Sequence, residues 1–430
     1  VVLAYRDSLT GLNYLRRASD LANQGLTLHL HAYQCHVFLD WHERIPTAEQ
    51  PWDKLCDQLD GAGVPDLNEA LLALELQPVH QALRAVLDPT LVGKLPALVD
   101  PAHGALVPNR ELSQQRNEFI ELAWSLYAHG AHQAEAFLAR KASAPLHPID
   151  SEQLYIDFRV NLAAILDLPV IEQMASEPLP ATARRVLPSG SPQRPAAFLW
   201  GPVFAWSVLH VFASALDPEH ADSKALEIFD SLRLRESFAQ AFQTLGMETE
   251  DGWRAAARLR VLLVACAEAA AAPKADSEVP AECIVTKTLW DDPDLNWIAG
   301  VHQSEGHTYF VREPYEELLW WLQLPAFVAC GARHEQCRET LQHASAAIAR
   351  EVATAEAAGY KLDEILAALS PQVEAATETP IADEQTEESV AVPVPSSSNE
   401  PVAESDEVDS STPEGQPGAN LLANPNDEAL

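Results

Sequence analysis

The chain has 430 residues, with 28 Lys and Arg against 63 Asp and Glu and a formal net charge of −35. A field of that sign repels nucleic acid and anionic membrane surfaces, so neither is expected as a partner. Apolar residues make up 47%, enough for a real core, and the length suggests two to three domains.

Val1-Val2-Leu3 starts in an extended run. There is no initiator Met and no charged region followed by a cleavage site, so the expectation is an internal cut, with any targeting signal upstream. Thr10 to Gln24 is predicted as a helix, capped by Thr10, with Leu12, Leu15, Ala18, Leu21 and Ala22 at helical spacing and Gly25 as the stop. Leu26, Leu28 and Leu30 then alternate with Thr27, His29 and His31, which predicts a strand, and Tyr33 to Leu39 continues as a second extended run. Residues 1–45 therefore look like the end of a β-rich domain.

From Pro51 the pattern is helical. Pro51 sits at the start of a helix that carries Trp52, Leu55, Cys56 and Leu59 and ends at Gly61. Asp66 caps a helix from Leu67 to Leu76, Pro78 opens another through Leu87, and Glu111 to Lys141 is a long amphipathic helix. The prolines between 178 and 197 predict a surface loop. A second helical block begins at Phe198, with a stripe of Leu199, Val203, Trp206, Leu209 and Phe212, followed by helices at 222–245 and 251–272. A hairpin is expected between Trp297 and Val311, turning at Glu305-Gly306. Helices follow at Glu313 to Val328, kinked by Pro325, at Arg333 to Ala358 and at Leu362 to Leu369. No run of about 18 apolar residues is read in the chain, so no membrane span is expected. Residues 371–430 hold 14 acidic residues, no Lys or Arg and no aromatic residue, a composition expected to stay disordered.

The domain reading is therefore residues 1–45 as the end of a β-sheet domain and 46–177 as a helical subdomain. A Pro-rich loop at 178–197 leads to a second helical subdomain at 198–370, with its hairpin near 297–311, and the acidic tail covers 371–430. The six cysteines, Cys35, Cys56, Cys266, Cys283, Cys330 and Cys337, are too few for a disulfide scaffold. Read as reduced thiols, they point to the cytoplasm.

Candidate chemistry is sparse. His29, His31, Cys35, His36 and His42 fall within 14 residues but lack zinc-motif spacing, and they read as the polar face of a half-exposed strand. Cys330, His334 and Cys337 share one helix face, the spacing of a buried stripe. Asp291, Asp292 and Asp294 around Pro293 read as turn chemistry. Trp200, Trp206, Trp320 and Trp321 read as core. Gly359-Tyr360-Lys361-Leu362-Asp363 has the pattern of a Gly-aromatic-basic-x-Asp nucleophile segment, but helices flank it where a buried barrel strand is needed. Gly359 reads as a helix C-cap and Asp363 as a solvated carboxylate. No residue is assigned a catalytic, cofactor-binding or metal-binding role, and no cofactor is expected.

Two regions are similar to a known family. Tyr5-Arg6-Asp7, Thr10-Gly11-Leu12-Asn13-Tyr14 and Ala32-Tyr33-Gln34-Cys35-His36-Val37-Phe38-Leu39-Asp40-Trp41 resemble the stretch that follows the catalytic barrel in large bacterial α-amylase-family glycoside hydrolases. Gly61-Ala62-Gly63-Val64-Pro65 and Leu76-Gln77-Pro78-Val79-His80 resemble the start of their helical extension. Gly300 to Phe310, leading into Glu316-Glu317-Leu318-Leu319-Trp320-Trp321, resembles the hairpin and helix near its end, although Phe310-Val311-Arg312-Glu313 stands where the family has Phe-Asn-Lys-Glu.

The pattern along the chain predicts a mainly α protein, an irregular multi-helix bundle with a short N-terminal β segment and a disordered acidic tail. The resemblance, which does not extend to the tail, implies that the β segment is the remnant of a C-terminal β-sheet domain. It implies a non-catalytic region that braces, regulates or oligomerises an upstream catalytic domain. That domain is the expected partner, with an α-glucan as the substrate class of the parent. The chain alone is expected to be inactive, because the family's carboxylates lie on barrel strands. The alternative is an independent helical interaction module with an acidic solubilising tail.

Overall fold

Three short strands at the N-terminus are held together by the segment between Asp7 and Asn13, which turns the chain back on itself. In the computed structural model, β1 (Val2–Asp7) pairs antiparallel with β2 (Asn13–Arg17) on one side and with β3 (Phe38–Arg44) on the other, giving the order β2-β1-β3. The structure describes residues 1–369 except 29, 100–109, 143–147, 170, 172–173, 176–177, 189–196, 272–283 and 331–333. The acidic tail, Cys283 and His29 thus lie outside the described residues, as do the side chains of Phe198 and His334.

The predicted helix over 10–24 is only half present. Asn13–Arg17 is strand, and the helix is confined to Ala18–Gln24. Thr10 does not cap it: its hydroxyl donates to Asp7 Oδ2 at 3.0 Å, inside the turn that delivers Asn13 to its pairing with Arg6. Pairing with β1 has overridden the helical spacing. The predicted strand through Leu26, Leu28 and Leu30 is absent from the described residues, and both Leu28 and Leu30 are exposed. A two-residue period needs a free edge to pair with, and β1 is already paired on both sides. The second extended run starts late, at Phe38, and bulges at Asp40, whose φ is +59°.

One face of the sheet sets Val2, Ala4 and Leu15 against Trp52, Leu55 and Cys56 of the helix Trp52–Leu59 and against Leu67 and Leu71 of the next. Asn13 and Val64 exchange backbone hydrogen bonds of 2.7 and 2.8 Å, closing the outer side of β2. The helix expected to break before Pro78 runs unbroken from Leu67 to Val86. Leu76 and Val79, on either side of the proline, are fully buried, and that packing outweighs one lost backbone bond. Asp66 caps it as expected, accepting from the N–H groups of Asn68 and Glu69.

The rest of the described chain is helical around a single large core that includes residues from Leu76 to Ile365. At its centre lies Ala197–Leu216, apolar all round, packed against Ser151–Leu166 and Ala221–Ser231. Among the described residues, its part Leu199–Leu216 alone has the length and mean hydropathy of a membrane span, and 83% of it is buried inside the protein. Leu234–Thr244 and Thr249–Ala271 pack on each other, the latter also on Ala221–Ser231 and Pro293–Ile298. The blocks read as 46–177 and 198–370 therefore share one interior. The described part of the Pro-rich loop belongs to it too, with Leu179, Ala183, Val186 and Leu187 buried.

Toward the C-terminus, β4 (His302–Ser304) and β5 (His307–Tyr309) form the expected hairpin. Glu305 and Gly306, at φ +51° and +81°, make the two-residue turn that only left-handed backbone allows. The chain breaks at Gln323 between Arg312–Leu322 and Leu324–Cys330, and His334–Ala357 and Leu362–Leu369 end the described residues. Cys330 and Cys337 correct the reading of six reduced thiols, since they form a disulfide between Leu324–Cys330 and His334–Ala357. Both are buried, but they do not share one helix face as the spacing predicted. They lie on two helical segments, with their Cα atoms 5.2 Å apart, where seven residues of one unbroken helix would hold them about 10 Å apart.

Candidate interaction surface and ligand cavity

The second face of the N-terminal sheet is aromatic. Tyr5 on β1 stacks on Tyr14 of β2 at 5.4 Å and on Trp41 of β3 at 4.2 Å, while Phe38 meets Tyr5 edge-on at 5.0 Å. The bulge at Asp40 lets Phe38 and Trp41 both reach Tyr5. Tyr5 is buried beneath them, and burial pushes its phenol pKa up. Trp41 itself is 46% exposed, and Val37, Leu39 and Ile45 are also exposed. Of the fourteen exposed large hydrophobic residues among the described ones, nine lie within residues 1–45. Apolar exposure is thus concentrated on the sheet and the loop leading into β3. Among the described residues β1 alone pairs with β3, so the outer edge of β3 is open. An open strand edge is a template for further pairing.

Asp7 anchors this surface. Its carboxylate is fully buried and lies 2.6 Å from His36 Nδ1, with Leu9 N–H and the Thr10 hydroxyl each donating at 3.0 Å. The His36 contact is the chief cause that holds the Asp7 carboxyl down to about 2; burial opposes it, and Leu9 and Thr10 reinforce it. His36 is therefore a structural partner of the Asp7 turn. His42 contacts the backbone carbonyl of Asp40 at 2.7 Å, and Cys35 is exposed. Among the described residues no group of three or more His, Cys, Asp or Glu is placed to hold a metal ion.

The other sequence candidates have structural roles. Asp292 caps Pro293–Ile298 by accepting from Asp294 N–H. Arg260 binds Asp230, Asp292 and Asp294 at 3.2, 2.9 and 3.5 Å, and Arg235 binds Asp294 at 2.5 Å, so these acids tie helices together. Trp200, Trp206, Trp320 and Trp321 are all buried. Asp363 stands at a helix start and accepts from Thr308 N–H at 3.3 Å, while Phe310 N–H donates to Tyr360 at 3.1 Å. The Gly359 to Asp363 segment thus fastens the last described helix to the hairpin.

A cavity of about 380 Å³ opens between Thr249–Ala271, Arg312–Leu322 and the short turn of 3-10 helix Ala183–Arg185. Glu317, 12% exposed in its side chain, takes Arg185 at 3.0 Å on one oxygen and Arg258 at 3.1 Å on the other. Burial draws the Arg258 pKa below its ordinary value, and Glu317 opposes that shift. Arg254 also lines the space; its guanidinium lies over the Trp297 ring at 5.0 Å and is bound by Glu250 at 2.9 Å. Leu199, Pro202, Met247 and Trp321 supply apolar walls. Its polar lining among the described residues consists of the guanidinium groups of Arg185, Arg254 and Arg258 and the carboxylates of Asp251 and Glu317. A second cavity, of about 490 Å³, is lined by polar groups several of which are paired: Asp167 with Arg116 at 3.2 Å, Asn161 with Ser207, and His210 with Asp222 at 3.4 Å.

No family model matches this chain, and neither a curated protein nor a solved structure is found to be similar to it.

Proposed function

We propose that this chain is a non-catalytic region of an α-amylase-family enzyme acting on α-glucans, and that it attaches to the catalytic part through its N-terminal sheet. The observation that carries the reading is the concentration of exposed apolar side chains on residues 1–45, next to the open edge of β3. Such a surface fits a sheet that is continued by further strands, as in the β domain behind the barrel of the family that residues 5–43 resemble. The helical body then braces that junction from the other face, through Trp52, Leu55 and Leu71.

The reaction belongs to the barrel, so the chain by itself releases no reducing sugar from starch or maltooligosaccharides. The experiment is to read the frame upstream of the Val1 codon. A continuous frame encoding a barrel with paired acidic residues supports the proposal. A start codon directly before Val1 overturns it in favour of an independent helical interaction module.

A further inference from the structure

We infer that the cavity bounded by Arg185, Arg254, Arg258 and Trp321 is a binding site for a small organic oxyanion, a phosphate ester or carboxylate carried on a compact apolar body. Three guanidinium groups line this one space in a chain with 63 acidic and 28 basic residues. Neutralising the buried Glu317 needs one positive charge, and two arginines are bound to it. The third, Arg254, is held by Glu250, whose side chain is 71% exposed.

The donors outnumber their acceptors. A guanidinium carries five N–H groups. Among the described residues Arg185 and Arg258 each spend one of them on Glu317, and the buried Nε of Arg258 has no acceptor. Arg254 spends two on a single oxygen of Glu250. Spare donors of like charge around a partly enclosed space select an oxyanion, for which bidentate guanidinium contacts are the strong ones. A neutral polyol fits less well, because its hydroxyls meet the same guanidinium donors without the charge that makes such contacts strong.

The walls specify the rest of the ligand. Leu199, Pro202, Met247 and Trp321 give an apolar lining that a bare inorganic ion would leave unfilled, and about 380 Å³ lies in the range of small-molecule sites.

The test is isothermal titration calorimetry of the whole chain with phenyl phosphate, benzoate, phenol and inorganic phosphate. Saturable binding of one phenyl phosphate or benzoate per chain is expected, and which of the two is tighter separates an ester site from a carboxylate site. Phenol and inorganic phosphate should each bind at least about tenfold more weakly. Arg254→Gln and Arg185→Gln, both on the outer side of the cluster, should each weaken the phenyl anion about tenfold. Met247→Trp should abolish binding by filling the space, with an unchanged melting curve as the control for folding. Absence of saturation with either phenyl anion, phenol binding as tightly as phenyl phosphate, or indifference to both arginine variants would overturn the inference.

Discussion

Glu317→Gln removes the charge that joins Arg185 and Arg258 while keeping the side-chain volume. The size of the effect follows from the exposure of the three groups. Glu317 and Arg258 are 12% and 24% exposed, so deleting the carboxylate leaves Arg258 largely desolvated and unpaired. Removing one partner of a fully buried pair costs about 3–5 kcal/mol, and the residual solvent access here lowers that to about 2–3 kcal/mol. Arg185 is 45% exposed, so Arg185→Gln should cost only about 0.5 kcal/mol. For a folded unit of this size each kcal/mol moves the melting temperature by about 1–2 °C. Differential scanning fluorimetry should therefore show Glu317→Gln melting about 3–5 °C lower and Arg185→Gln within about 1 °C of the parent. In a double-mutant cycle Glu317 should couple more strongly to Arg258 than to Arg185. Equal shifts for Glu317→Gln and Arg185→Gln, or none for Glu317→Gln, would refute the reasoning.

Other consequences can be checked separately. The Asp7 carboxyl sits at about 2 in the folded chain against an ordinary 3.8, so its contribution to the N-terminal sheet is complete above about 4 and is lost as pH falls toward 2. Acid titration followed by NMR signals of Tyr5 and Trp41 should show that loss, and Asp7→Asn should destabilise the sheet at neutral pH and flatten its acid dependence. Burial pushes the Cys266 thiol up to about 12, whereas Cys35 is exposed. Alkylation of the native chain at pH 8, mapped by mass spectrometry, should mark the Cys35 peptide and spare Cys266; equal labelling would contradict that burial. A non-reducing peptide map should recover Cys330 and Cys337 in one linked product.

Helix existence was legible wherever local signals sufficed. Asp66 as a cap, Gly306 in the hairpin turn and the break near Pro325 each act within a few residues, and each is found in place. Strand identity was not, because it depends on which edge is free. Leu26, Leu28 and Leu30 have the right period but no strand partner among the described residues, while Asn13 to Arg17 have helical spacing and pair with β1, with Asn13 also bridging to Val64. Pro78 was read as a boundary by its local cost, and burial of Leu76 and Val79 outweighed it. The cavity was invisible for a related reason. Glu317 meets Arg185 and Arg258 across 132 and 59 residues, and no spacing rule joins such distant positions. The Cys330 and Cys337 spacing was read as one face of a single helix, which would keep their Cα atoms about 10 Å apart, and the change of helical segment that lets them bond was not legible in it.

The most direct measurement of the central claim is amide hydrogen exchange across β3. It compares the isolated chain with the polypeptide that also carries the upstream frame. The outer edge of Phe38–Arg44 is unpaired among the described residues, and its side chains are mostly exposed. In a monomeric sample of this chain those amides should exchange fast relative to β1 at the centre of the sheet. In the longer polypeptide they should become protected, with Trp41 withdrawn from solvent. Strong protection already present in the monomeric isolated chain, or identical exchange in the two samples, would contradict a sheet built to dock.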